Sequence, residues 1–123
     1  MASTSKTKLL TELLSLSSVK VTSYQNLSQV GLILHTEILS KKADCTRCGN
    51  QSQRIHQNHR YLIKDLPISG QPVYLEINRR QFKCELCQKP FSEELFFVKK
   101  RRKYTSRLAT EIVRQVLADD IKT

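Results

Sequence analysis

No stretch of these 123 residues comes near 18 consecutive apolar positions, so nothing in the chain reads as a membrane-spanning helix. The N-terminus lacks a charged-then-apolar leader, because its leucines alternate with polar residues. There is no Gly-rich phosphate loop and no His–Asp–Ser grouping, which leaves an enzyme as the weakest reading. Internal repeats are missing too. Acidic residues are scarce: 11 Asp and Glu stand against 21 Lys and Arg, for a formal net charge of +10. Such an excess argues for an anionic partner, nucleic acid first, and says nothing about fold. A reducing cytosol is the expected compartment.

Cysteine is present only four times, as Cys45-Thr46-Arg47-Cys48 and Cys84-Glu85-Leu86-Cys87. Two thiolates three positions apart on a tight turn can point at one ion. Two such turns supply the tetrahedral sulfur set of a structural Zn²⁺. Gly49 follows the first pair, where the backbone must bend back. Two disulfides would require an oxidising compartment, and a redox site would use one pair and leave the other unexplained. Four thiolates around Zn²⁺ carry a formal charge of −2, which Arg47 and Lys83 would help offset. His56 and His59 lie between the pairs and are alternative ligands, but four thiolates already complete the tetrahedron and leave no open position for chemistry.

Around this centre the pattern predicts an α+β chain of one ordinary domain's size. Residues Met1 to Ser5 are small and polar and read as unstructured. Leu9, Leu10, Leu13, Leu14 and Leu16 put a stripe on a short helix over 6–16, which packs on its own domain or permits a homodimer. Val19 and Val21 begin a strand, 24–29 reads as a turn, and Val30, Leu32, Leu34 and Ile38 line a second strand, with His35 on its solvated side. Gln53 to His56, then a turn at Gln57 and Asn58, then Arg60 to Leu66, then Val73 to Phe82 form a small β-meander between the cysteine pairs. This is a zinc-ribbon layout. Segments 1–42, 43–97 and 98–123 are thus an N-terminal helix and hairpin layer, the ribbon, and a basic linker with a final helix.

Aromatic residues at Phe91, Phe96 and Phe97 are expected to cover the metal site from one side, with base stacking as the alternative use. The cations Lys99, Lys100, Arg101, Arg102 and Lys103 cannot be buried together. Either they form a solvated linker or they contact phosphates. From Arg79 to Arg107 ten Lys and Arg face three Glu, so seven of the chain's ten excess charges sit here. That concentration singles out Arg79, Arg80, Lys99 to Lys103 and Arg107 as DNA-contacting candidates. Thr105 or Ser106 caps the last helix, whose stripe is Leu108, Ile112, Val113, Val116 and Leu117, with Arg107 and Glu111 as a polar-side pair.

The segments Ala43–Gly49, Arg54-Ile55-His56, Arg60–Pro67, Val73–Cys84 and Phe91–Glu93 carry a resemblance. Asp65-Leu66-Pro67 and the Arg79–Cys84 run are its most specific parts. The chain is similar, over residues 8–120, to the N-terminal part of bacterial insertion-sequence transposases of the ISL-three family. In that family the second cysteine pair is often more widely spaced. The resemblance implies that Cys45, Cys48, Cys84 and Cys87 are zinc ligands and that the final helix begins a helix-turn-helix. It implies recognition of terminal inverted repeats during transposition. Those relatives continue into a catalytic domain with a Mg²⁺-binding acidic triad, to which the scattered acidic residues here cannot be assigned. The expectation is therefore a truncated, non-catalytic DNA-binding portion. The alternatives are a stand-alone regulator or transposition inhibitor that also binds full-length transposase, and a remnant without a selected role.

Overall fold

The computed structural model describes residues 4–99 and 101–122; Met1 to Ser3, Lys100 and Thr123 lie outside the described residues. Helix α1 spans Thr4–Leu14, so it starts inside the segment expected to be unstructured. It is followed by β1 (Val19–Leu27), β2 (Gly31–Ile38), β3 (Ala43–Asp44), β4 (Gln51–Ser52), β5 (Ile55–Ile68), β6 (Gln71–Lys83), β7 (Pro90–Ser92) and α2 (Ser106–Lys122). Half of the α1 stripe faces inward: Leu14 and the following Leu16 are buried, while Leu9 and Leu13 are exposed. Thr11 Oγ1, in the last turns of α1, accepts the Val21 N–H at 2.9 Å and ties the helix to β1.

Two strand boundaries differ from the sequence pattern. The segment read as a turn from Tyr24 is still β1, which pairs with β2 as far as Leu27 opposite Gly31. Cross-strand hydrogen bonds override the weak strand propensity of Gln25 and Asn26. Likewise no turn forms at Gln57 and Asn58. The strand continues for 14 residues, and the register shift between Ile55 and Gln57 is absorbed as a bulge. The Ser69-Gly70 turn forms as the sequence predicts, with both residues at positive φ.

Strand β6 is the central member of a mixed sheet with order β1-β2-β6-β5, and β7 adds to β6 beyond the end of β2. The N-terminal hairpin therefore joins the same sheet as the ribbon, through parallel pairing of β2 with β6 from Leu32 opposite Val73 to His35 opposite Glu76. This approach needs Gly31. Its φ is +134°, and a Cβ there would sit 2.5 Å from the Pro72 carbonyl oxygen.

Burial along β6 changes phase partway. Val73, Leu75 and Ile77 are buried, then Arg80, Phe82 and the following Cys84. Alternate residues of a strand face opposite sides, so the strand serves one core with one face and a second core with the other. The larger core gathers Leu14, Leu16, Val19, Val21, Leu34, Ile63, Leu75 and Ile77 with Leu95, Phe97 and Val98. The smaller one holds Cys45, Phe82, Cys84 and Phe91. Arg80, at the phase change, is buried and donates from Nε and Nη2 to the two carboxylate oxygens of Glu93, at 2.9 and 2.8 Å.

The start of α2 is held by Asp65, which is 2% exposed. Thr105 caps the helix: its Oγ1 accepts the Leu108 N–H at 3.3 Å and donates to Asp65 Oδ1 at 2.8 Å. Arg107 donates to both oxygens of Asp65 and, through Nη1, to the Leu14 carbonyl at 2.8 Å. One carboxylate thus joins β5, α1 and α2. The pairing expected between Arg107 and Glu111 does not form; Glu111 binds Arg114 instead. Burial opposes ionisation of Asp65, but the bonds from Arg107, Thr105 and the Leu66 N–H outweigh it and hold its pKa below the ordinary value.

A depressed carboxylate contributes stability that is present above its unfolded pKa, about 3.9, and is lost as pH falls through the lower folded value. Asp65→Asn is expected to cost about 2–3 kcal/mol at neutral pH, below the usual figure for a buried pair because Arg107 is partly solvated. In urea titrations the gap between wild type and Asp65→Asn should close as pH drops below about 4. A gap that stays constant would show that the carboxylate charge is not what holds α2.

Candidate metal centre

The two cysteine turns are built alike. In the first, the Cys45 N–H donates to the Asn50 carbonyl and the Gly49 N–H to the Cys45 carbonyl, both at 2.9 Å. In the second, the Cys84 N–H reaches the Lys89 carbonyl at 3.1 Å and the Gln88 N–H the Cys84 carbonyl at 2.9 Å. The fifth residue has positive φ in both, +78° at Gly49 and +59° at Gln88. Only the first turn uses the residue type suited to that region, so the second carries local strain that the glycine avoids. Backbone N–H groups also point at sulfur, from Arg47 to Cys45 Sγ at 3.4 Å and from Cys87 to Cys84 Sγ at 3.3 Å.

The four sulfurs lie within 4.8 Å of one another. Cys45 and Cys87 are 4.0 Å apart, and Cys48 and Cys84 3.5 Å. A tetrahedron of sulfurs about 2.3 Å from Zn²⁺ has edges of about 3.8 Å, so the donor set fits the ion. The protonation pattern agrees. Burial works against ionising Cys45, yet the N–H groups of Arg47 and Cys48 bring it down to about 6. Cys84 is lowered by the Cys87 N–H against burial. The Asn50 N–H pulls Cys48 down, but Cys87 and Cys84 beside it win and hold it up at about 12. Thiols this close cannot all ionise without a cation between them. Bound Zn²⁺ would supply that charge, lock both turns and leave no position for water. The cysteines form a structural zinc site.

Other residues hold the turns together. Arg47 Nη2 donates to the carbonyls of Lys89 and Pro90, both at 3.1 Å, so it clamps the second turn as well as adding positive charge. Ser52 is buried and its hydroxyl donates to the Lys83 carbonyl, while the Lys83 N–H donates to the Arg54 carbonyl at 2.8 Å. Both bonds fasten the β3–β4 hairpin to β6. Arg47 was foreseen only as a neutralising charge, and no sequence signal marks Ser52. His56 and His59 are exposed strand residues outside the four-sulfur cluster. Phe91 stacks on Phe82 with ring centres 5.9 Å apart, so it covers the metal site. Phe97 instead fills the larger core and Phe96 is exposed.

The basic candidates separate. Lys99, Arg101, Arg102 and Lys103 are exposed, and Lys100 is outside the described residues. Their segment is not a free linker: the Lys64 N–H donates to the Lys103 carbonyl and the Thr105 N–H to the Lys64 carbonyl, at 2.8 and 2.9 Å. Arg102 lies against the Tyr104 ring, 5.9 Å from its centre. Arg79 is half-buried and has no ion pair or hydrogen bond among the described residues, and its Nε is an orphan donor. Arg80 is a correction: a guanidinium buried at 7% exposure and doubly bonded to Glu93 cannot reach a phosphate. Arg107 is likewise committed to Asp65 and the Leu14 carbonyl.

Residues 41–87 match the zinc-finger of transposase IS204/IS1001/IS1096/IS1165. A stretch of 78 residues, 63% of this chain, is 31% identical to the transposase for insertion sequence element IS1001 of Bordetella parapertussis. It spans 19% of that relative's length. No solved structure matches.

Proposed function

We propose that this chain, whose residues 41–87 are the zinc-finger region of an ISL3-type transposase, binds duplex DNA and contributes no catalytic group. The observation that carries the reading is the exposed basic segment Lys99, Arg101, Arg102 and Lys103, closed by the Arg102 N–H to Lys99 carbonyl bond and anchored at its end where Lys103 and Thr105 bond Lys64 of β5. A charged segment that is already ordered loses less entropy on meeting a phosphate backbone than a free tail would. In this reading the ribbon at 43–97 and the layer at 1–42 form the platform, and 98–123 supplies phosphate contacts and the first helix of a helix-turn-helix. The target is the terminal inverted repeats of an insertion element, and the place of action the bacterial cytoplasm at the nucleoid. No helix among the described residues is long and apolar enough to cross a membrane.

Binding should weaken steeply with salt, with a log–log slope of about −0.9 per phosphate neutralised. Replacing Lys99, Arg101 and Lys103 together by alanine is expected to flatten the slope by roughly three contacts' worth, read by fluorescence anisotropy on a labelled duplex. A flat wild-type slope would sink the proposal.

A second reading has its own observation. Ile112, Val113, Val116 and Leu117 are exposed on α2. A face of this kind suits a protein partner, either a second copy or a full-length transposase, and a regulator or inhibitor of transposition would act through it. Capture of purified full-length transposase, lost in Val113→Glu, would favour this role.

A further inference from the structure

The β5–β6 ribbon has two unlike faces near its zinc end. Register places Gln57 opposite Gln81 and His59 opposite Arg79, and Gln81 is also opposite Ser92 of β7. Directly paired residues share a face and residues two apart continue it, so this row extends the face that Tyr61 and Ile77, and then Ile63 and Leu75, present to the larger core. The other face carries Asn58, Arg60, Asn78 and Glu76. There most polar groups are engaged: Asn78 donates to Asn58 at 3.2 Å, although its own Oδ1 has no partner, and Glu76 takes both Arg60 and His35, at 3.1 and 3.2 Å. Glu37, two residues beyond His35, adds a second carboxylate on that face. Its charges are largely matched within the fold: Lys20 lies opposite Glu37, and Arg60 and Arg80 are held by Glu76 and Glu93.

The row of Gln57, His59, Arg79 and Gln81 has no acidic member. The side chains of Gln57 and His59 are exposed without hydrogen-bond partners among the described residues, and His59 is ordered by ring stacking on Tyr61, 6.0 Å between centres. Arg79 is unpaired, and Gln81 has a single marginal bond to Ser92 at 3.5 Å. Every other described arginine except Arg101 has a partner: Arg47, Arg54, Arg60, Arg80, Arg102, Arg107 and Arg114. Phe97 and Val98 pack on the core that Ile77 joins, and the chain then crosses to the outer edge of β5. The basic segment therefore leaves from the same face as the row.

We infer that this row reads base edges in the major groove of duplex DNA while the basic segment holds the flanking phosphates. The inference rests on the DNA-binding function proposed above. The groove is roughly 12 Å wide and admits a two-stranded β-ribbon. Gln bonds adenine through its amide and Arg bonds guanine through its fork, so the row has the residue types for direct readout. A phosphate track alone would need cations here and not two glutamines.

The zinc-loaded full chain is mixed with a pool of short duplexes of randomised sequence, and the bound fraction is sequenced. Wild type should enrich a motif. Gln57→Ala, His59→Ala and Arg79→Lys should each relax it at one or two positions, by roughly tenfold in discrimination per position, with the salt slope unchanged. Asn58→Ala and Arg60→Ala, on the opposite face of the same strand, should leave the motif intact. Gln57 is exposed and unbonded, so Gln57→Ala folds as wild type does, as a thermal melt and the Co²⁺-thiolate absorbance will show. A wild-type chain that binds DNA without enriching any motif overturns the readout, as does a motif unmoved by all three row variants or moved by Asn58→Ala instead. A chain that binds no duplex overturns the DNA-binding function and this inference together.

Discussion

Stripping the metal is expected to melt residues 43–54 and 84–92 while the larger core survives with lowered stability. The smaller core is Cys45, Phe82, Cys84 and Phe91, two of them ligands. Its apolar content is the stacked phenylalanine pair, and burying two such rings contributes roughly 3–6 kcal/mol. Ordering each residue of the two turns and the β3–β4 hairpin costs about 1–2 kcal/mol. Two rings cannot offset that for some twenty residues, and the free energy of Zn²⁺ binding, which is folding free energy at such a site, is what the turns lose with the metal. Hydrogen exchange on chelator-treated protein should show lost protection at the Cys45 and Cys84 amides and retained protection at Leu34, Leu75 and Ile63. Cys84→Ser should reproduce the effect, since that sulfur is fully buried. Persistent protection of the cysteine amides without metal would show that the turns are held by their backbone bonds alone.

Glu93→Ala is expected to cost about 3–5 kcal/mol, the usual penalty for stranding one member of a buried ion pair. Arg80 and Glu93 have side chains 9% and 7% exposed. Glu93 bonds the guanidinium twice and also accepts the Arg80 N–H at 3.3 Å. Without it the guanidinium, 5.0 Å above the Phe82 ring, stays buried between the two cores with only that ring as partner. The pair need not be stabilising against an apolar alternative, because removing two charges from water is itself costly. Arg80→Met with Glu93→Leu should therefore recover most of the loss. Equal destabilisation in the single and double variants, by urea denaturation, would mean that the bonds themselves are net stabilising. The neighbouring segment depends on the pair as well: the Glu93 N–H donates to the Arg80 carbonyl and leads into Leu95, Phe97 and Val98 of the larger core.

The parts legible in the sequence share a property: their alternatives were few. Four cysteines in two matched pairs leave one natural tetrahedral grouping, and the Ser69-Gly70 turn is local chemistry. The start of α2 is legible for the same reason, since a Thr before a helical stripe is a cap wherever the helix packs. Harder to see were the parallel pairing of β2 with β6 and the unbroken β5. Both depend on partners more than twenty residues away, and about forty for β2, whose hydrogen bonds outweigh weak local preference. Asp65 shows the middle case. Its Asp-Leu-Pro sequence stood out, but that it fastens α2 to α1 through Thr105 and Arg107 could be read only from contacts across forty residues.

Arg79 and Arg80 mark the boundary most clearly. The sequence by itself determined that this chain carries a zinc centre and a concentrated positive charge, because ligand type, spacing and charge are local properties. It treated these two adjacent arginines alike. The folded sheet decided between them, since successive residues of a strand point to opposite faces. One face of β6 at this point meets the zinc-side core and Glu93, and the other leaves the protein's interior just beyond Ile77. Which of two like charges is bonded inside and which is left without an ion pair is set by strand phase, and that phase is fixed by packing on both sides of the sheet.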